Sequence, residues 1–232
     1  MSLVKYGGGI TQMSGSVGGN TFARNRYGNY VRPRTKPVNP NSQEQSNVRT
    51  ALSFLTNCWS AILTPAQRIA WATYANAVAM KNRLGESMYA TGFNHFLRSN
   101  IEYQRHFNAY SDDGPTNLTL PAKEQAFVAS GSVATQLISI EFTEGSEWAL
   151  EVGAKMLVYM GRPRSVTRNF FAGPWKYAGY ISGATTPGAQ SPVTLAAPMT
   201  LTLGQLVTVY GRIRRLDGRI SEPFTYTFEV AA

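Results

Sequence analysis

The first 43 residues constrain this chain more than any other stretch, because they are too poor in apolar side chains to bury a core of their own. Most of the segment reads GGGITQMSGSVGGNTFARNRYGNYVRPRTKPVNPN, residues 7–41. Its glycines cut it into short pieces. Pro33, Pro37 and Pro40 exclude a helix from its end and favour an extended, polyproline-like path. ITQMSGSVGG and NTFARNRYGNYVRPR each read as one extended strand. In the second, Phe22, Arg24 and Arg26 fall on one side and Ala23, Asn25 and Tyr27 on the other. Neither side is apolar enough to bury against its own chain. The expectation is a basic arm, residues 1–43, that takes its shape from adjoining molecules.

Charge supports this division. Lys5, Arg24, Arg26, Arg32, Arg34 and Lys36 all lie in residues 1–36, which hold no acid, so two thirds of the net charge of +9 sits on the first sixth of the chain. Only 15% of the residues are charged, against a usual quarter or so. A polar but weakly charged surface suits a protein packed into a larger assembly better than a free enzyme. Cys58 is the only cysteine, which excludes an internal disulfide, and its apolar helical setting points to a buried thiol. No run approaches the roughly 20 apolar residues that span a membrane, and the glycine-rich start lacks the apolar core of a secretion signal.

Beyond the arm, residues 44–110 read as a helical domain. Val48, Leu52, Leu55, Trp59 and Ile62 are spaced to share one helix face. LTPAQRIAWATYANAV opens a second helix with Thr64 as N-cap and Pro65 at the first turn, carries Trp71, Tyr74 and Val78 as its stripe, and closes at NRLG with Gly85 in a turn. Thr91 caps a third helix, whose stripe is Phe93, Phe96, Leu97 and Ile101. Residues 111–125 carry linker-like turn signals. Residues 126–232 read as about seven strands without an intervening helix. KMLVYMG is apolar on both faces, as a central strand is. Phe224, Tyr226, Phe228 and Val230 alternate with polar partners, and Asp217-Gly218 signals a two-residue hairpin turn. The predicted fold class is α+β: an extended arm, a small helical domain and a C-terminal antiparallel β-sandwich.

GQLVTVYGRIRRLDGRISEPFTYTFEV resembles the last two strands of a fibronectin type III or related immunoglobulin-like module, through Tyr210, the strand carrying Arg212 and Arg214, the Gly218 turn and Ser221-Glu222-Pro223. GSVGGNTFARNRYGNYVRPRTKPVNPNSQEQ, followed by LTPAQRIAWATYA and TGFNHFLRSN, resembles uncharacterised proteins of tailed bacteriophages and prophages over about residues 8–100. That resemblance implies a virion-associated structural protein and supplies no catalytic residues.

The residues themselves show no catalytic constellation. His95 and His106 lie eleven residues apart on one helix, about 16 Å along its axis, too far to share a metal. His95, beside Phe93 and Phe96, reads as a satisfied, partly buried histidine. Glu141, Glu144, Glu147 and Glu151 fit a solvated rim rather than the rigid carboxylate pair of a glycosidase. The N-terminal glycines lack the Lys-Ser/Thr of a phosphate-binding loop. No enzyme activity, cofactor, metal, membrane or small-molecule substrate is expected.

The candidate interface is therefore the arm: Phe22, Arg24, Arg26, Tyr27, Tyr30, Arg32, Arg34 and Lys36, residue types that anchor protein interfaces. The same cations and tyrosines could grip nucleic acid. The excess of Arg over Lys, the strand spacing and the stiffening prolines favour protein. Arg212, Arg214, Arg215 and Arg219, with Arg162, Arg164 and Arg168, form a second basic group, either solvent-facing strand positions or a contact patch for an acidic partner. The expected role is a non-enzymatic phage virion component, an oligomer attached to other capsid or tail proteins. Capsid decoration comes first and tail or head–tail attachment second. A DNA-binding protein with a basic arm is the competing class.

Overall fold

The computed structural model describes residues 2–82, 84–168, 170–185 and 188–232. Among these the chain is α+β, with three α-helices, one π turn and thirteen strands in antiparallel sheets.

The N-terminal segment departs from the expected unpaired arm. β1 (Ser2–Leu3), β2 (Gly15–Val17), β3 (Asn20–Asn25) and β4 (Gly28–Pro33) form one sheet in the order β1-β4-β3-β2. NTFARNRYGNYVRPR is thus a hairpin rather than one strand. Asn25 pairs with Gly28 around the two-residue turn Arg26-Tyr27, where the Asn25 side chain accepts from the Tyr27 amide at 2.9 Å and Gly28 takes φ 120°. Strand pairing satisfies the backbone donors and acceptors without needing an apolar core. No described residue from 2 to 43 is buried, so the sheet rests on its ladder and on half-buried side chains such as Phe22 and Tyr30 rather than on a closed core.

The helices follow from local signals. Ser42 caps α1 (Gln43–Asn57), accepting from the Gln45 amide. A π turn, Cys58–Ile62, ends it. Thr64 caps α2 (Pro65–Ala77) in a reciprocal capping box with Gln67. Thr91 caps α3 (Gly92–Phe107), which ends at left-handed Asn108. α1 and α2 each pack against α3, where Phe96 meets Trp59 at 5.5 Å and Trp71 at 5.6 Å. The stripe of α2 is buried as its spacing predicts. That of α1 is buried only in part: Leu55 is buried and Trp59 half-buried, with Ala51 and Cys58 also facing inwards, while Val48, Leu52 and Ile62 remain exposed. α2 also stops earlier than NRLG. Ala79–Lys81 (β5) and Ser87–Tyr89 (β6) form a hairpin around a turn in which the Asn82 side chain accepts from the amides of Leu84 and Glu86 and Gly85 takes φ 80°.

The C-terminal strands are β7 (Val128–Ser132), β8 (Leu137–Glu141), β9 (Lys155–Gly161), β10 (Trp175–Ser182), β11 (Val193–Ala196), β12 (Leu206–Arg214) and β13 (Phe224–Glu229). They form two sheets, β11-β8-β7 and β10-β9-β12-β13. Both contribute to one apolar cluster that includes Ile138 and Ile140 of β8, Met156, Val158 and Met160 of β9, Val207 and Val209 of β12, and Phe224 and Phe228 of β13. The β12–β13 turn is one residue longer than predicted. Arg215 and Arg219 exchange a backbone bond across Leu216, Asp217 and Gly218, with Gly218 at φ 87°, the residue for which left-handed backbone carries no Cβ penalty.

β9 is buried on both faces. Its inner face meets the apolar cluster, and Tyr159 on the other face meets α3. Residues 111–125 carry no helix or strand, yet they are tied to both neighbours. Asn100 exchanges two hydrogen bonds with the backbone of Ser111, the Trp71 indole donates to the Asp112 carbonyl at 2.8 Å, and Glu124 accepts from the Trp148 indole at 2.9 Å.

Candidate assembly surface

The N-terminal sheet presents two dissimilar faces. Register places Phe22, Val31, Val17, Arg24 and Asn29 on one, and Tyr30, Leu3, Ala23 and Arg32 on the other. Phe22, Tyr27 and Tyr30 are half-buried, whereas Arg24, Arg26, Arg32, Arg34 and Lys36 are exposed. Arg26 sits in the turn, off the face that Phe22 and Arg24 share. Arg34 and Lys36 follow β4, with the Arg34 amide bonded to the Gly19 carbonyl at 2.7 Å. Among the described residues none of these five cations has an ion-pair partner; Arg24 reaches only the Gln12 side-chain carbonyl, at 3.2 Å.

Among the described residues two polar fastenings join the sheet to the body. Lys5 pairs with Glu86, and its ammonium holds that exposed carboxyl below the usual carboxylate range. Asn94 of α3 donates to the Tyr27 hydroxyl at 3.0 Å. Between sheet and β5–β6 hairpin lies an open cleft of about 460 Å³, lined by Leu3, Val4, Ile10 and Leu84 among others. Ile10 and Leu84 are each about half exposed, and Val17 is 68% exposed on the edge strand. Cations without acids, exposed apolar side chains and a free strand edge therefore coincide on one unit.

The hairpin-tip arginines of the second basic group are built differently, and their reading as solvent-facing positions or an exposed patch is corrected. Arg214 and Arg219 are buried. The Arg214 guanidinium donates to Ser111 Oγ at 2.6 Å and lies over the Tyr103 ring at 3.8 Å. Arg219 donates to Asp217 Oδ2 at 2.6 Å and to the Thr119 carbonyl at 3.1 Å. Arg215 pairs with Glu147 at 2.8 Å and with Glu151. Arg212 is half-buried. The hairpin tip packs beneath α3 and the 111–125 segment, so its cations are used within the fold to satisfy carbonyls and carboxylates that packing removes from water.

The acidic rim stays at the surface, with Glu141, Glu144 and Glu147 exposed and Glu151 half-buried. Glu147 and Glu151 are held by Arg215, and Glu144 accepts from the Ser191 amide at 2.7 Å. Burial alone would raise the carboxyl of Glu124, but hydrogen bonds from Trp148, Ser146, Ala126 and Thr143 outweigh it and hold the group below its ordinary value. His106 stacks on Tyr177 at 3.6 Å, with Nε2 3.3 Å from Glu102. His95 is wholly buried, and among the described residues neither ring nitrogen has a partner, against the satisfied histidine expected; burial first, and the nearby Arg98 charge second, lower its pKa to about 4. Among the described residues no group of three or more His, Cys, Asp or Glu could hold a metal ion, and no helix is long and apolar enough to cross a membrane.

The sequence reading missed the joint between α3 and the larger sheet. Arg98 donates to the carbonyls of Ile220 and Ser221 at 2.8 and 3.0 Å, and Glu102 accepts from Tyr159. The signal was there: Arg98, Glu102 and His106 recur every four residues, a second face of α3 away from its apolar stripe.

No family model matches this sequence, and no curated protein matches it. Among solved structures, the crystal structure of a family 76 glycoside hydrolase from a bovine Bacteroides thetaiotaomicron strain is similar at a TM-score of 0.33 and 11% identity, over 48% of this chain and 20% of that one, a likeness too slight to bear on fold or activity.

Proposed function

We propose that this protein is a non-enzymatic structural component of a bacteriophage virion that joins neighbouring subunits through its N-terminal sheet. The observation that carries the reading is a four-stranded sheet without one buried residue, displaying five cations with no acidic partner among the described residues. A sheet without a closed core is marginal alone and gains stability when a partner covers it. Its occupant is an acidic surface of another capsid subunit, with apolar side chains entering the cleft beside Ile10 and Leu84. Strand addition at β2 is a second mode of contact.

In this reading the C-terminal strands are an immunoglobulin-like β-sandwich of the fibronectin type III kind. Support comes from the strand orders β11-β8-β7 and β10-β9-β12-β13 around one shared core. The helical unit anchors it, and the sandwich projects or bridges between subunits.

Deletion of residues 1–36 tests the proposal. The remaining chain folds, because the sheet is fastened to it by two exposed polar contacts, but it no longer joins its particle. Normal incorporation of the folded truncation overturns the reading. A gel shift over a salt series separates the DNA-binding class: tight binding by the full chain, lost steeply with salt and absent from the truncation, assigns the cations to phosphate instead.

A further inference from the structure

The connection between β9 and β10 carries three arginines that have no carboxylate partner among the described residues. Arg162, Arg164 and Arg168 line one cleft of about 560 Å³, together with Pro163, Phe171 and Pro174. Among the described residues every ion pair lies elsewhere: Arg105, Arg215 and Arg219 have carboxylates, and these three have none. Like charges gathered in one concavity repel one another unless an anion sits between them.

Arg164 is held in place from both ends. Its amide donates to the Leu206 carbonyl at 3.0 Å and its carbonyl accepts from the Leu206 amide at 2.8 Å. Its Nη1 donates to Thr208 Oγ1 at 2.7 Å, its Nε donates to the Arg168 carbonyl at 3.1 Å, and its guanidinium lies 5.1 Å from the Phe171 ring centroid. Thr208 is itself braced by Thr227 at 2.8 Å. The turn that presents Arg168 is closed by its amide on the Ser165 carbonyl at 3.0 Å. A guanidinium fixed in this way loses little freedom when it takes up a ligand.

We propose that this cleft binds a diphosphate group carried on a small molecule. Guanidinium forks match phosphate oxygens bidentately. Three uncompensated cations exceed the charge of one carboxylate and suit two adjacent phosphates. The volume is that of a small-molecule pocket rather than of a single ion, and Phe171 with the two prolines offers a wall for the organic part. The site stands apart from the N-terminal sheet and does not rest on its role.

The test is calorimetric titration of the full chain with inorganic pyrophosphate at low salt. Pyrophosphate binds; R162Q/R168Q, which changes two exposed side chains, weakens it by about tenfold or more, the loss expected for charge-assisted hydrogen bonds. R24Q/R32Q in the N-terminal sheet leaves it unchanged. R164Q abolishes it, and if that variant is unstable the exposed pair still decides. Absence of pyrophosphate binding at millimolar concentration overturns the proposal. So does binding indifferent to R162Q/R168Q, or binding of a single-stranded oligonucleotide at these residues that pyrophosphate does not displace.

Discussion

The Tyr159 hydroxyl donates a 2.9 Å hydrogen bond to the Glu102 carboxylate, tying the third helix to a central strand of the larger sheet. Arg105 donates to the same carboxylate at 2.9 Å, and Nε2 of His106 lies 3.3 Å from it. Burial opposes the charge on Glu102, but the contacts with His106, Arg105 and Tyr159 outweigh burial and hold its pKa below the ordinary value. Burial and the Glu102 charge together push the Tyr159 hydroxyl far up, so it stays a donor throughout the working range.

Tyr159→Phe removes that donor and leaves a partly buried carboxylate short of one bond. The expected loss is about 1.5–3 kcal/mol, the range for hydrogen bonds to charged groups, read from the urea midpoint. Glu102→Gln bears on pH as well. A carboxyl with a lowered folded-state pKa stabilises the protein above its unfolded value and loses that contribution as pH falls through the folded one. The wild type therefore weakens from the ordinary carboxylate range downwards, and E102Q flattens that part of the profile. Unchanged midpoints in both variants would mean that the joint contributes nothing to stability.

His95 titrates in a different window. Its pKa falls from 6.5 in the unfolded chain to about 4 in the fold, so the unfolded state binds the extra proton between those values. Its contribution is fully present above pH 6.5 and is lost as pH falls towards 4. Because neither ring nitrogen has a partner among the described residues, His95→Leu is neutral or stabilising at pH 7 and removes the slope in that window. Thermal melts from pH 4 to 7 measure both; a steep slope persisting in H95L assigns it to another group.

Gly92 opens α3 where it crosses α2. A Cβ there would stand 2.8 Å from the Ala72 amide nitrogen and 2.9 Å from its Cα, and both are backbone atoms that cannot turn aside. Gly92→Ala forces the two helices apart and lowers stability by about 1–3 kcal/mol, as overpacking does. Gly145→Ala, which meets nothing within 4 Å, is the control. Equal midpoints for the two variants would show that the helices are not in this close contact.

Local chemistry carried much of the fold in legible form. Thr64 and Thr91 cap helices because a hydroxyl and a free amide three residues on are all that a cap requires. KMLVYMG reads as a doubly buried strand because only a strand covered on both faces needs such a run. The division of net charge is likewise plain from the chain alone.

What the tertiary structure alone decided is which of the arginines are free. Arg24 and Arg214 are the same residue type, each on a β-strand. One stands exposed without an acid, while the other is buried over Tyr103. The apolar neighbours in LVTVYGRIR mark a core strand, as those in NTFARN do not, but they do not show that Arg214 itself is buried, because its desolvation and pairing depend on partners about a hundred positions away. The N-terminal hairpin shows the converse. Its extended backbone was visible, but the turn at Arg26-Tyr27 and the pairing of the two strands were not, since a backbone ladder needs no side-chain pattern to form. Sequence set the elements and their charges; three-dimensional packing determined which charges the fold consumes and which it leaves for a partner.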